Sequence, residues 1–144
     1  MTTSPILAPA AVLILWSMVV LFWMGSTRLP AFSRSGLDLT KAEPGARYQD
    51  VEDQLPAKVS WASHNYTHLM EQPTLFYAVV GVLALAGEGT GVNLILAWSY
   101  VGLRIVHSVW QVFVNRIPVR FGLFALSSFC LLAMAVNAVR ATVF

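Results

Sequence analysis

Four long apolar segments separated by polar ones dominate the hydropathy pattern of the chain. They predict membrane spans at about 6–24, 64–86, 92–114 and 120–143. The first segment, ILAPAAVLILWSMVVLFWM, is uncharged, and it is close to the ~20 residues that cross a hydrocarbon core about 30 Å thick. The pattern therefore predicts an all-α integral membrane protein with four transmembrane helices.

Polar segments of very different length connect the predicted spans. Residues 25–60 form a long connection, which we interpret as a surface loop covering one end of the helices. Three prolines in it are expected to break any long helix: Pro30, Pro44 and Pro56. The segment GEGTG at 87–91 predicts a tight turn, so that spans two and three are antiparallel neighbours. A second short turn is expected at 115–119.

The composition supports this interpretation. Of the 144 residues, 57% are hydrophobic and only 11% are charged, with a mean hydropathy of +0.66, which is too apolar for an ordinary soluble domain. The length suits four spans and their connections, so we expect one membrane domain over 1–144. The net charge of +2 is better explained by membrane topology than by a nucleic-acid partner.

Basic residues are concentrated on one side of the predicted bundle. The two connections on that side contain Arg28, Arg34, Lys41, Arg47, Lys58 and Arg116, and Arg120 directly follows the second connection. The opposite side has only Arg140. The positive-inside rule then predicts that 25–60 and 115–119 are cytoplasmic and that both termini lie outside.

The third span carries a stripe of polar side chains. Tyr100, Arg104, His107 and Gln111 are spaced to lie on one face of a helix. An arginine within an apolar span is costly unless it faces the bundle interior and has a polar partner. The stripe therefore predicts a polar cavity between the helices.

The second span offers partners for that stripe. His64, His68 and Glu71 share one helix face, and Glu71 is the natural ion-pair partner of Arg104, whereas His64 is expected to be solvated among the lipid headgroups. Two alternatives remain open for these polar residues. They could form a network that only fixes helix register, or the histidines and Glu71 could bind zinc or iron together with His107.

Several of these positions resemble one known family. The third span and the residues that follow it resemble the third-helix signature of the MAPEG family. The matching residues are Arg104, His107, Arg116, Pro118 and Arg120. The segment HLMEQPTLF, residues 68–76, resembles the family's Asn-x-x-Glu motif followed by proline and phenylalanine. MAPEG proteins are membrane proteins of eicosanoid and glutathione metabolism, and the third-helix spacing is most similar to that of the glutathione-dependent prostaglandin E synthase. The resemblance covers essentially the whole chain.

The resemblance implies an architecture and a reaction. It implies a homotrimer of left-handed four-helix bundles, of bacterial type and in a bacterial inner membrane, with glutathione bound between protomers near the cytoplasm and a lipophilic substrate entering from the bilayer. Arg120 would stabilise the glutathione thiolate, because a nearby guanidinium lowers a thiol pKa. Arg104 would form a structural ion pair with Glu71. Residues implied to bind the cofactor are His68, Glu71, His107, Gln111 and Arg116.

The chain departs from the family pattern at four positions. It has His68 in place of an asparagine, Thr67 in place of a frequent arginine, Gln111 in place of a frequent tyrosine, and Phe121 where the prostaglandin synthase has serine. These changes alter polar contacts to glutathione and do not support a prostaglandin substrate. The leading hypothesis is a thiol-dependent transferase or peroxidase-like protein acting on a lipophilic electrophile. The alternative is a non-catalytic scaffold, or an accessory subunit of a larger membrane complex, with the same fold.

Overall fold

The computed structural model describes residues 3–36, 43–45 and 47–144, so Lys41 of the basic cluster lies outside the described residues. The helices are α1 Leu7–Ser35, α2 Ala57–Leu85, α3 Gly91–Phe113 and α4 Ile117–Val143, with short 3-10 turns at Tyr48–Asp50 and Glu52–Gln54. The described part contains no strand. All four helices are long and apolar enough to cross a membrane. The predicted all-α membrane fold with four transmembrane helices is therefore confirmed.

Helices α1 and α2 extend beyond the predicted spans into the long connection. Helix α1 continues through Pro30 to Ser35, so the prediction that Pro30 would break a helix is wrong. A proline inside a helix removes one backbone hydrogen bond, and the 29-residue helix continues without it. Helix α1 ends instead at Gly36, whose left-handed φ of 71° is typical of a helix end.

The helices pack into a bundle whose interior mixes apolar and aromatic side chains. The most extensive contacts join α3 to α4 and α1 to α2, and α2 also contacts α3 and α4. Near the centre, the rings of Phe76 and Tyr100 stack with centroids 4.4 Å apart. Large apolar side chains such as Phe22 and Phe129 are exposed on the outside, as expected for a surface that faces lipid.

Side-chain hydrogen bonds fix α2 against two neighbouring helices. The Asn65 amide donates to the Ser108 hydroxyl of α3 at 2.7 Å, and the Gln72 amide donates to the Ser128 hydroxyl of α4, also at 2.7 Å. Lipid offers no hydrogen-bond partners, so such groups must be satisfied inside the protein. These bonds set the register of α2, which carries half of the candidate site.

The bundle has two distinct ends. At one, here called the site end, residues 52–55 meet the turn between α3 and α4. At the other, here called the terminal end, the turn between α2 and α3 meets Ser4, just before α1, and the last turns of α4. Gly89 of this second turn packs against the Ser4 side chain, so a larger residue there would require the serine hydroxyl to move.

Removing the Ser108 hydroxyl tests the polar register of α2. Ser108→Ala leaves the buried Asn65 amide without its partner, and we expect the free energy of unfolding to fall by roughly 0.6–1.7 kcal/mol, the range for interhelical hydrogen bonds in membranes. The measurement is reversible unfolding in mixed detergent micelles. Ser26→Ala, at an exposed serine that bonds only within α1, is the matched control and should change little. Equal effects of the two variants would show that the bond does not stabilise the helix pair.

Candidate functional site

Arg120 lies in the first turns of α4 and is held by the turn that precedes the helix. Its Nη1 donates to Asn115 Oδ1 at 2.7 Å. Asn115 has a left-handed φ of 51°, a conformation that asparagine adopts more readily than most residues. Among the described residues, no carboxylate forms an ion pair with Arg120. The guanidinium is therefore positioned by a neutral amide and not by a carboxylate of the described residues.

Two cavities meet at Arg120. A polar cleft of about 530 Å³ at the site end is lined by Glu52, Asp53, Leu55, Ala57, Ser60, Trp61, His64, Asn115, Ile117 and Arg120. A smaller, mostly apolar cavity of about 190 Å³ is lined by His68, His107, Ile117, Phe121, Phe124 and Arg120. Arg120 thus lies at the boundary between a polar space and an apolar one.

Residues 47–56, here called the cap, form one wall of the polar cleft and are anchored on α1 and α2. The Arg28 guanidinium of α1 lies 3.6 Å from the centre of the Tyr48 ring and also donates to the Ser63 hydroxyl of α2. The Tyr48 hydroxyl lies within hydrogen-bond distance of the Ser60 hydroxyl, at 3.2 Å. Cation–π contacts of this kind contribute about 0.5–1 kcal/mol at exposed sites. The cap therefore has a defined position relative to α1 and α2.

His68 connects the polar residues of α2 and α3. Its carbonyl accepts a hydrogen bond from Arg104 Nη2 at 2.7 Å, and its Nδ1 lies 3.4 Å from Glu71 Oε2. The His68 and His107 rings face each other edge-on, with centroids 6.2 Å apart. The residue at the position of the family's asparagine therefore contacts three other polar residues of the predicted site.

The predicted ion pair of Glu71 with Arg104 is not formed within the chain. Arg104 is only 2% exposed, and its guanidinium lies between α2 and α3, where it reaches the backbone of α2 instead of a carboxylate. The Glu71 side chain is 62% exposed, so it lies on the outer surface of α2. Within the described part of the chain, Arg104 Nε and Nη1 have no hydrogen-bond partner. Arg104 is thus a buried cation that a backbone carbonyl and nearby aromatic rings accommodate.

His107 and Gln111 form a buried pair behind the apolar cavity. The His107 Nε2 and Gln111 Oε1 atoms lie 3.1 Å apart, and both residues are buried. His107 lines the apolar cavity, whereas Gln111 is enclosed within the bundle. Of the predicted cofactor residues, Arg116 is exposed at the start of α4, and neither it nor Glu71 lines either cavity at Arg120. The structure therefore brings Arg120, His68 and His107 together.

The open alternative of a metal site at the histidines is not supported by the geometry. Over residues 3–36, 43–45 and 47–144, no three histidine, cysteine or acidic side chains converge as metal ligands would. His64 pairs with Glu52 of the cap, with 2.7 Å between Nε2 and Oε1, although it was expected to be simply solvated. The histidines of α2 thus each have a different acidic neighbour.

Sequence reasoning did not identify three residues that shape the site. Asn115 holds Arg120, and an asparagine in a tight interhelical turn is a signal for a left-handed residue. Phe124 lines the apolar cavity and lies 5.9 Å from the Arg104 guanidinium; it is one helical turn after Arg120, a spacing that places both on one face. No pattern in the sequence pointed to Glu52, because its role depends on how the cap folds back.

Comparison with known proteins identifies a family. A sequence model of the MAPEG family matches residues 6–140. No curated protein and no solved structure matches the chain. The matched region includes all four helices except the last residues of α4, and it contains the cleft, the cavity and Arg120. The chain therefore belongs to the MAPEG family, whose members are four-helix membrane bundles.

Proposed function

We propose that this protein is a membrane-bound, thiol-dependent transferase or peroxidase-like enzyme that uses glutathione against a lipophilic electrophile. The MAPEG family includes glutathione-dependent transferases and related enzymes. The single observation that carries the proposal is the place of Arg120 at the boundary between the polar cleft and the apolar cavity. A hydrophilic thiol and a hydrophobic acceptor could approach the same guanidinium from these two sides.

The residues of the cleft are compatible with glutathione. Glutathione carries a thiol, two carboxylates and an ammonium group. The cleft offers the Arg120 guanidinium and the exposed Asp53 carboxylate, and Arg116 is exposed at the start of the same helix. In this assignment Arg120 faces the thiol, Asp53 the ammonium group and Arg116 a carboxylate. Opposite charges are thus available for the thiolate, the ammonium group and one of the two carboxylates.

Arg120 has the properties that thiolate stabilisation requires. A guanidinium stays charged at any physiological pH, and a cation close to a thiol lowers its pKa and raises the fraction of reactive thiolate. Asn115 fixes Nη1, while the remaining guanidinium N–H groups of Arg120 make no hydrogen bond to the described residues. Bound glutathione supplies the sulfur nucleophile, and the role of Arg120 is to hold negative charge on that sulfur.

The apolar cavity supports a lipophilic second substrate. Its wall includes Phe121, Phe124 and Ile117, and apolar walls with a few polar groups are typical of small-molecule sites. Phe121 is 67% exposed on the outer surface of the bundle, which offers a route from the bilayer. His107 at the inner end is the polar group that could orient the substrate.

Glu71 supports a homotrimer in which a neighbouring protomer covers part of the site. The residue lies at the middle of α2, yet its side chain is largely exposed on the protomer surface. A carboxylate that faced lipid at this depth would be expensive. A second copy packed against α2 would remove it from lipid and would place it near a site between protomers. The concentration of basic residues at the site end supports a cytoplasmic position for that end.

Replacing Arg120 tests the proposed activation. Arg120→Ala removes the cation, so the pKa of the bound thiol should rise. We expect the thiolate fraction at saturating glutathione and neutral pH to fall by about 10-fold or more, as for a rise of at least one pKa unit, which corresponds to about 1.4 kcal/mol. The measurement is the ultraviolet absorbance of thiolate in detergent-solubilised protein. Arg34→Ala, at an exposed arginine near the end of α1, is the control for lost positive charge and should keep wild-type absorbance.

One outcome would favour the alternative function. If the wild type formed no thiolate at millimolar glutathione, the proposal would fail, and a scaffold or accessory role in a larger membrane complex would be preferred. That role predicts that a defined set of membrane proteins purifies with the wild type in stoichiometric amounts.

Asn115 allows the position of the guanidinium to be separated from its charge. Asn115→Gly keeps the turn, because glycine adopts positive φ readily, but removes the amide that holds Nη1. We expect the thiolate fraction to fall by about 2- to 10-fold, which corresponds to the roughly 0.5–1.5 kcal/mol of a typical intramolecular hydrogen bond, with an unchanged melting temperature. Asn115→Ala should lose both thiolate and stability, because its side chain is strained at this φ. Wild-type thiolate formation in Asn115→Gly would contradict a positioning role.

The oligomeric state is a separate prediction. Light scattering corrected for bound detergent should give the mass of three copies for the wild type and for Arg120→Ala, because Arg120 acts on the thiol and not on assembly. A monomer with full thiolate formation would disprove the proposed site between protomers.

A further inference from the structure

A second polar cleft lies at the terminal end of the bundle, where the proposed reaction uses no residue. It has a volume of about 360 Å³ and is lined by Glu88, Val92, Asn93, Asn137, Arg140 and Ala141. It shares no lining residue with either cavity at Arg120. These residues come from the turn before α3, the first turn of α3 and the last turns of α4.

Two asparagines build the inner wall of this cleft. Asn137 Nδ2 donates to Asn93 Oδ1 at 2.7 Å, and Asn93 Nδ2 donates to the Glu88 carbonyl at 2.9 Å. Asn93 is buried, so the pair fixes the end of α4 and the α2–α3 turn relative to each other. Asn137 Oδ1 accepts no hydrogen bond from the described residues. The wall therefore presents one oriented acceptor.

The cleft contains one acidic and one basic side chain that do not neutralise each other. Glu88 and Arg140 both line it and both are exposed. No ion pair within 4 Å joins them in the described part of the chain. A ligand with one negative and one positive group would satisfy both at once.

The position of the cleft narrows the class of ligand. It lies where α3 begins and α4 ends, and the ends of membrane-spanning helices lie near the lipid headgroups. A zwitterion at this level that combines a phosphate with a primary ammonium is the headgroup of phosphatidylethanolamine. The cleft therefore adjoins the layer in which such a lipid would present this group.

We propose that this cleft binds a phosphoethanolamine group, and that the surrounding bilayer supplies it as phosphatidylethanolamine. The Arg140 guanidinium donates to the phosphate, a pairing suited to its planar fork of N–H groups. The Glu88 carboxylate and Asn137 Oδ1 accept N–H groups of the ammonium. A choline headgroup has no N–H to donate, and a glycerol headgroup has no cation for Glu88, so both bind more weakly.

The test compares lipids with identical acyl chains but different headgroups. Delipidated protein in detergent is titrated with phosphatidylethanolamine, phosphatidylcholine or phosphatidylglycerol, and the melting temperature is recorded. Phosphatidylethanolamine should raise it by about 5 °C more than the others, as expected for a ligand well above its Kd. Glu88→Gln and Arg140→Gln should each remove that difference. Glu43→Gln, at an exposed acid outside the cleft, should retain it.

Each other outcome counts against the proposal. Equal shifts for the three lipids, or a difference that persists in both cleft variants, would overturn headgroup recognition. An equal shift with soluble phosphoethanolamine would overturn the lipid as the source, and an equal shift with inorganic phosphate would overturn recognition of the ammonium. A changed oligomeric mass in the variants without any lipid dependence would assign the cleft to contacts between copies. Both variants should form thiolate as the wild type does, so failure here and failure of the Arg120 proposal are distinguishable.

Discussion

The hydrogen bond from the Arg104 guanidinium to the His68 carbonyl joins the two helices that carry the polar half of the candidate site. A buried arginine in a membrane bundle must have acceptors within the protein, and here the acceptor is the backbone of α2. This contact fixes α3 against α2 at the level where the His68 and His107 rings meet. The position of the apolar cavity, and of Arg120 at its edge, therefore depends on how the bundle accommodates Arg104.

The site is organised as a gradient from polar to apolar. The cap at the site end supplies Glu52 and Asp53 to the wall of the polar cleft, while Phe121 and Phe124 line the apolar cavity. Arg120 contacts both because the short turn between α3 and α4 places it at the first turns of a helix, and Asn115 holds its guanidinium there. A cation at such a boundary attracts an anion more strongly than a cation in bulk water does, because the low-dielectric side screens the interaction less.

Much of the fold could be predicted because lipid leaves few options for a chain of this composition. The predicted third span, 92–114, agrees within one residue with α3, and the stripe of Tyr100, Arg104, His107 and Gln111 is buried as expected. The predicted pairing of Glu71 with Arg104 is not formed within the protomer, because spacing fixes the face of a helix but not which group on the next helix lies within reach. Some residues act only through the cap, through the turn at Asn115 or through another copy of the chain. Their roles produce no periodic pattern in the sequence.

The most direct test of the central claim is the pKa of the glutathione thiol while it is bound. It can be followed through the pH dependence of the cysteinyl carbon signal of isotopically labelled glutathione bound to the wild-type protein in detergent. The account predicts a thiol pKa well below that of a free thiol, about 8.5, so that most bound glutathione is thiolate at neutral pH. A bound thiol that titrates like the free tripeptide would contradict it, because Arg120 would then hold no charge on the sulfur.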